Sequence, residues 1–190
     1  MKFSRRAVLA AAATGLAAAG LVVAPSWARA SSDDVAPLLE LIAQRLALMP
    51  DVARHKFNSG AAVEDLPREA QVLAQVTAEA EAAGLPRVFA TRFFQAQIDA
   101  AKLLQQSRID AWKAEGRGKF ANVPDLAAEI RPLLDGLTPR LIAALKKAYP
   151  GLTNSAVRER IASYQSLYGH ANAADAAAAL RVALAPLSVL

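Results

Sequence analysis

The chain is 190 residues long, contains no Cys and only two His, and sets 22 Lys and Arg against 17 Asp and Glu for a formal charge of +5. Without Cys there can be neither disulfides nor thiolate metal sites, and two His leave too little for a histidine metal centre, so no metal is expected. The excess charge suggests nucleic acid until it is located. Lys2, Arg5, Arg6 and Arg29 lie in the first thirty residues, which hold no acid, so residues 31–190 carry 18 basic and 17 acidic side chains, a net of +1. No basic run with interleaved aromatics remains there, which excludes a nucleic-acid partner.

Residues 1–30 read as an export signal. Lys2, Arg5 and Arg6 precede an uncharged stretch from Ala7 to Ala24, Pro25 ends it, and Ala28-Arg29-Ala30 places small residues where a signal peptidase needs them. Cleavage after Ala30 would leave Ser31 first, in a periplasmic or secreted protein with no further membrane association. Ser4-Arg5-Arg6-Ala7-Val8-Leu9 is similar to a twin-arginine signal, with the general secretory route as the alternative. Eighteen apolar residues also just suffice for an uncleaved anchor, but the Ala-X-Ala site favours cleavage.

Residues 31–190 are expected to form one all-α helical bundle. Leu38, Leu39, Leu41, Ile42, Leu46 and Leu48 recur at helical spacing, as do Val72, Leu73, Val76 and Ala80, and strand-like alternation is missing. Breaks at Asn58-Ser59-Gly60, Gly84-Leu85-Pro86, Gly116-Arg117-Gly118, Pro150-Gly151 and Gly169 divide the chain into about six helices. These fall near 33–57, 65–83, 86–115, 124–148, 154–168 and 171–185. Asp65 ahead of Pro67 predicts an N-cap with proline in the first turn, and Pro50 predicts a kink in the first helix. The segment 86–115 is long enough to be the central spine, with 31–115 as core helices and 116–190 as a C-terminal half.

Several polar residues share faces with the apolar rows. Arg45 and Lys56 lie eleven positions apart, within about 20° on one helix if Pro50 preserves the register. Glu64-Asp65-Leu66-Pro67-Arg68-Glu69 puts a cation among acids at a helix start, where Arg68 opposes the macrodipole. Gln97, Ala101 and Gln105 follow an i, i+4, i+8 row, so a small residue sits between two amides and leaves room for a ligand. Taken singly, each has a structural explanation: snorkelling for the cations, capping for Asp65, solvation for the rest. Together they point to a cationic pocket for a small dianion.

Four separated segments carry a more specific pattern. They are Leu41 to Leu46, Asp51 to Lys56, Glu64 to Glu69, and Phe93 to Gln105, with Trp112 beyond. The pattern R-x10-K-x8-D-x2-R-E, followed by Q-I-x-A-x-K-x2-Q, resembles the all-helical AroQ chorismate mutases, in particular their secreted gamma subclass. The likeness is good over 38–115 and looser through Val123 to Leu126 and Glu129 to Pro132.

The resemblance implies an isomerase that rearranges chorismate to prephenate in one pericyclic step of aromatic amino acid biosynthesis, the shikimate pathway, without nucleophile, metal or proton shuttle. It implies catalytic roles for Lys56 and Gln105 as donors to the ether oxygen, and carboxylate clamps at Arg45 and Arg131, with Arg140 as the alternative second clamp. Arg68 is a further cation, Glu69 accepts from the ring hydroxyl, and the Asp65 backbone assists. Ala101 stands where relatives often carry Ser or Thr, and the chain lacks the C-terminal disulfide of some of them. A homodimer with one site per chain is also implied, whereas residues 154–190, including Arg158, Glu159, Arg160 and Tyr164, receive no role. His55 and His170 read as surface or packing residues. Two alternatives remain: a related isochorismate pyruvate lyase, and a non-catalytic periplasmic binding protein for an aromatic acid.

Overall fold

The computed structural model describes residues 32–188; the expected signal segment and its cleavage site lie outside them. Among the described residues there are no strands and seven α-helices: α1 Ala36–Ala47, α2 Met49–Ser59, α3 Leu66–Ala82, α4 Arg87–Ala114, α5 Arg131–Ala148, α6 Ser155–Ala171 and α7 Ala174–Leu184. None of the described helices is long and apolar enough to cross a membrane.

The seventh helix comes from the break that Pro50 causes. Proline has no N–H for the Leu46 carbonyl, so the ladder fails there and α2 restarts at Met49, with Pro50 in its first turn. Leu48 N–H instead reaches back three residues to the Arg45 carbonyl, at 3.3 Å. Arg45 before the joint and Lys56 after it line the same cavity. Gly60, at φ 71°, closes α2 in a left-handed cap that a side chain would strain.

Two helix starts share one capping device. Asp65 Oδ1 accepts from Arg68 N–H at 3.1 Å while Glu69 Oε1 accepts from Asp65 N–H at 3.1 Å. Asp125 Oδ1 accepts from Ala127 and Ala128 while Glu129 Oε1 accepts from Asp125 N–H at 2.8 Å. Each Asp-Glu pair satisfies donors that a helix start leaves orphaned. The helix expected from 124 therefore does begin at Asp125, but its first turn, Leu126–Ile130, is a wide π turn before α5 proper. Gly169 was expected to break the chain, yet α6 continues to Ala171. The glycine faces α7, where an added Cβ would lie 3.8 Å from Ala177 Cβ, an ordinary contact.

Helix α4 is the spine. Phe93 and Ala100 are fully buried and Leu104 nearly so, and α4 packs on α2, α3 and α7. Helix α1 lies chiefly against α5, with Leu38, Leu39, Ile42 and Leu145 fully buried. Beyond α4 the chain is tied back to α2. Asn58 Nδ2 donates to Phe120 O at 2.9 Å and Asn58 Oδ1 accepts from Phe120 N–H at 2.8 Å. Phe57, Trp112 and Phe120 form an edge-to-face triangle, with Arg54 and Arg117 against the Phe120 ring. That clip anchors the long connection to α5 beside α2, and with it one wall of the site.

Candidate active site

The elements around α4 leave a cavity of about 450 Å³. The α1–α2 pair contributes Arg45, Met49, His55 and Lys56, and the α3 start contributes Asp65, Arg68 and Glu69. Helix α4 adds Ile98, Ala101, Lys102 and Gln105, and α5 adds Arg131, Leu134, Asp135 and Thr138. Its charged lining comprises five cations (Arg45, Lys56, Arg68, Lys102, Arg131) and three acids (Asp65, Glu69, Asp135), an excess of two positive charges. A volume of this size suits a small metabolite, and the excess complements a dianion.

All seven residues singled out in the sequence line this cavity, while Arg140 is exposed and outside it. Gln97 departs from its row. At 100° per residue, Ile98, Ala101, Lys102 and Gln105 centre about 90° away from it around α4. Gln97 instead points at α7, where its Nε2 donates to Ala183 O at 2.9 Å. His55, read as a surface or packing residue, stands on the cavity wall. Lys102, Asp135 and Thr138 belong to the lining without a role assigned from sequence. Only Lys102 carried a signal, as the lysine of the α4 motif.

Two of the polar groups lining the cavity lack good hydrogen-bond partners within the protein. Arg45 Nε is buried and has no hydrogen-bond partner. Burial pushes the Arg45 pKa down, and the nearby Asp135 carboxylate opposes that shift. Gln105 is 6% exposed; its Nε2 reaches only Met49 Sδ, a weak acceptor, at 3.4 Å, and its Oε1 has no partner. An unmatched buried donor costs on the order of 1–3 kcal/mol, so the fold bears a penalty that a ligand can relieve. Arg45→Met should therefore raise the Tm of the ligand-free protein by about 2–4 °C while weakening substrate binding. Calorimetry alongside KM checks both halves of that trade-off.

Lys56 Nζ donates to Val63 O at 2.8 Å, which ties the loop after α2 across the cavity mouth. Burial lowers its pKa, Asp65 and Glu69 raise it, and Arg131 lowers it. Glu69 is held at both oxygens, by Asp65 N–H and by Lys102 Nζ at 2.7 Å. Burial alone would raise its carboxyl, but these two hydrogen bonds, with the Lys102 and Lys56 charges, leave it below the ordinary glutamate value.

An all-helical bundle holding a cationic cavity of metabolite size defines an enzyme-type site for a small dianion. Comparison with known proteins sharpens that class. The family model for type II chorismate mutases matches residues 29–106. A secreted chorismate mutase of Mycolicibacterium smegmatis is 33% identical over 132 residues, covering 68% of this chain and 72% of that protein. The chorismate mutase of Burkholderia thailandensis has a TM-score of 0.75 at 35% identity, over 81% of this chain and 98% of that one. That of Burkholderia phymatum has a TM-score of 0.77 at 29% identity, over 84% and 98%. The chain belongs to the type II chorismate mutase family, and is thus an isomerase acting on a small molecule.

Proposed function

We propose that the mature chain, residues 31–190, converts chorismate to prephenate outside the cytoplasm through the cavity described above. In this rearrangement the ether C–O bond breaks as a C–C bond forms, with no proton transferred. The protein's task is to hold the reactive conformer and stabilise negative charge on the ether oxygen. Arg45 and Arg131 clamp the two carboxylates with their guanidinium forks. Arg68 adds charge at the mouth, and Glu69 accepts from the ring hydroxyl. The Asp65 N–H assists indirectly, since it donates to Glu69 Oε1. Lys56 and Gln105 donate to the ether oxygen from α2 and α4.

The observation that carries this reading is the pairing of a lysine and a partner-poor buried amide in one cavity with an excess of two cations. Gln105 has no structural task there that a smaller apolar residue would not perform better, and the single bond from Lys56 to Val63 O leaves two of its ammonium donors for a ligand. Loss of chorismate absorbance on adding purified residues 31–190 is the expected result. Binding without turnover would indicate a carrier, and release of pyruvate from isochorismate in preference would indicate a lyase.

Export is supported by the relatives, which are named secreted chorismate mutases, and by the composition of residues 1–30. A homodimer completes the reading.

A further inference from the structure

We propose that Lys102 is a positioning residue, fixing the Glu69 carboxylate as acceptor for the ring hydroxyl of the substrate. This rests on the hydroxyl-acceptor role given to Glu69 above and adds the group that makes that role possible. Lys102 Nζ lies 2.7 Å from Glu69 Oε2 and 3.5 Å from Glu64 Oε1. The Lys102 and Glu69 side chains are only 26% and 18% exposed, and both residues line the cavity. An ion pair in that setting is directional in a way that a surface pair is not.

The geometry explains what the pair does. Glu69 sits on the first turn of α3, at a cavity mouth where an unrestrained carboxylate would swing between rotamers. Asp65 N–H holds Oε1 from the helix start, and Lys102 holds Oε2 from across the cavity on α4. Each carboxylate oxygen has two acceptor positions, so one on each remains open after both bonds are made. The carboxylate is thus oriented, ionised and still able to accept. The charged groups around it are Lys102 and Asp99 on α4, Lys56 on α2, Glu64 and Asp65 before α3, and Arg68 beside it on α3. Of these cations, Lys56 and Lys102 act on the Glu69 carboxyl, and Lys102 alone hydrogen-bonds it.

The test compares Lys102→Met, Glu69→Ala and the double variant on two substrates: chorismate, and the analogue in which hydrogen replaces the ring hydroxyl. With chorismate, Lys102→Met should lower kcat/KM about tenfold, the scale of one charge-assisted hydrogen bond, and move the acid limb of the pH profile upward. With the analogue, Lys102→Met and wild type should agree within about threefold, because no hydroxyl remains for Glu69 to receive. The double variant should be no slower than Glu69→Ala, and Lys102→Arg should restore most of the chorismate activity. Where Lys102→Met does not fold, Lys102→Ala removes the same donor and makes the same comparison. Equal losses on both substrates, or no loss on chorismate, would overturn the proposal. Full chorismate activity in Glu69→Ala would instead remove the hydroxyl-acceptor reading on which it rests.

Discussion

Lys56→Ala should lower kcat/KM for chorismate by about 10²- to 10³-fold, the range seen when one preorganised donor is taken from a developing oxyanion. Lys56 is half-buried and reaches across the cavity mouth to Val63 O, so the ammonium is delivered by a fixed stem rather than by a mobile surface chain. Its charge is raised in value by the same burial that lowers its pKa, because an ion in poor solvent interacts more strongly with charge that develops beside it. The sign of the pH dependence follows. A lysine with a depressed pKa is protonated below that value, so the activity it supports is lost on an alkaline limb that begins below the ordinary lysine range. The fold should survive the substitution. Only the bond to Val63 is lost, worth about 1 kcal/mol, so the Tm should fall by no more than a few degrees. Kinetics with chorismate and a circular dichroism melt of the same sample separate the two effects. A variant within threefold of wild type would show that Lys56 belongs to the loop and not to the chemistry.

The helical architecture was legible because apolar positions recur at 3.6-residue spacing and glycine or proline marks most ends. Where the reading departed, a local cause won. Pro50 did more than kink a helix, because the missing N–H falls beside Leu48 at a joint, and Gly169 did less than end one, because it does not take the left-handed φ that closes α2 at Gly60 and α6 runs on to Ala171. The site was legible wherever its residues lie within one turn of each other or one helix apart, as with Arg45 and Lys56 or Asp65, Arg68 and Glu69. It was illegible where the angular drift of a helix matters: Gln97 and Gln105 share a sequence row, but 80° of accumulated rotation turns the first to α7 and the second to the cavity. Asp135 and Thr138 were out of reach for another reason. They follow Arg131 by one and two turns on α5, and only the docking of α5 against α1 brings that face to Arg45. The same docking leaves Arg140 facing solvent, a distinction that spacing alone did not make.

Gln105→Glu should convert a donor that works at every pH into one that works only when protonated. The amide of Gln105 keeps its N–H groups across the whole range, so the wild type should not lose this contribution between pH 5 and 8. A carboxylic acid at the same place, 6% exposed beside Met49 and with no cation bonded to it, is favoured by burial in its neutral form. The neutral form has the one O–H that can donate to the ether oxygen. Above its pKa the group becomes an anion facing negative charge, and activity should fall about tenfold per pH unit, reaching a loss on the order of 10²-fold by pH 8. The informative quantity is the ratio of variant to wild-type kcat/KM at each pH, in which titrations common to both proteins cancel. Stability gives a second, independent reading of the same proton. A glutamate whose folded pKa is raised contributes stability that is complete below its unfolded value, near 4.3, and is lost as pH climbs through the folded value. The Tm of the variant, relative to wild type, should therefore decline over the window in which its relative activity declines. A ratio that stays flat from pH 5 to 8, or a wild type that itself falls tenfold per unit there while Lys56 remains charged, would take the ether-oxygen donor away from Gln105.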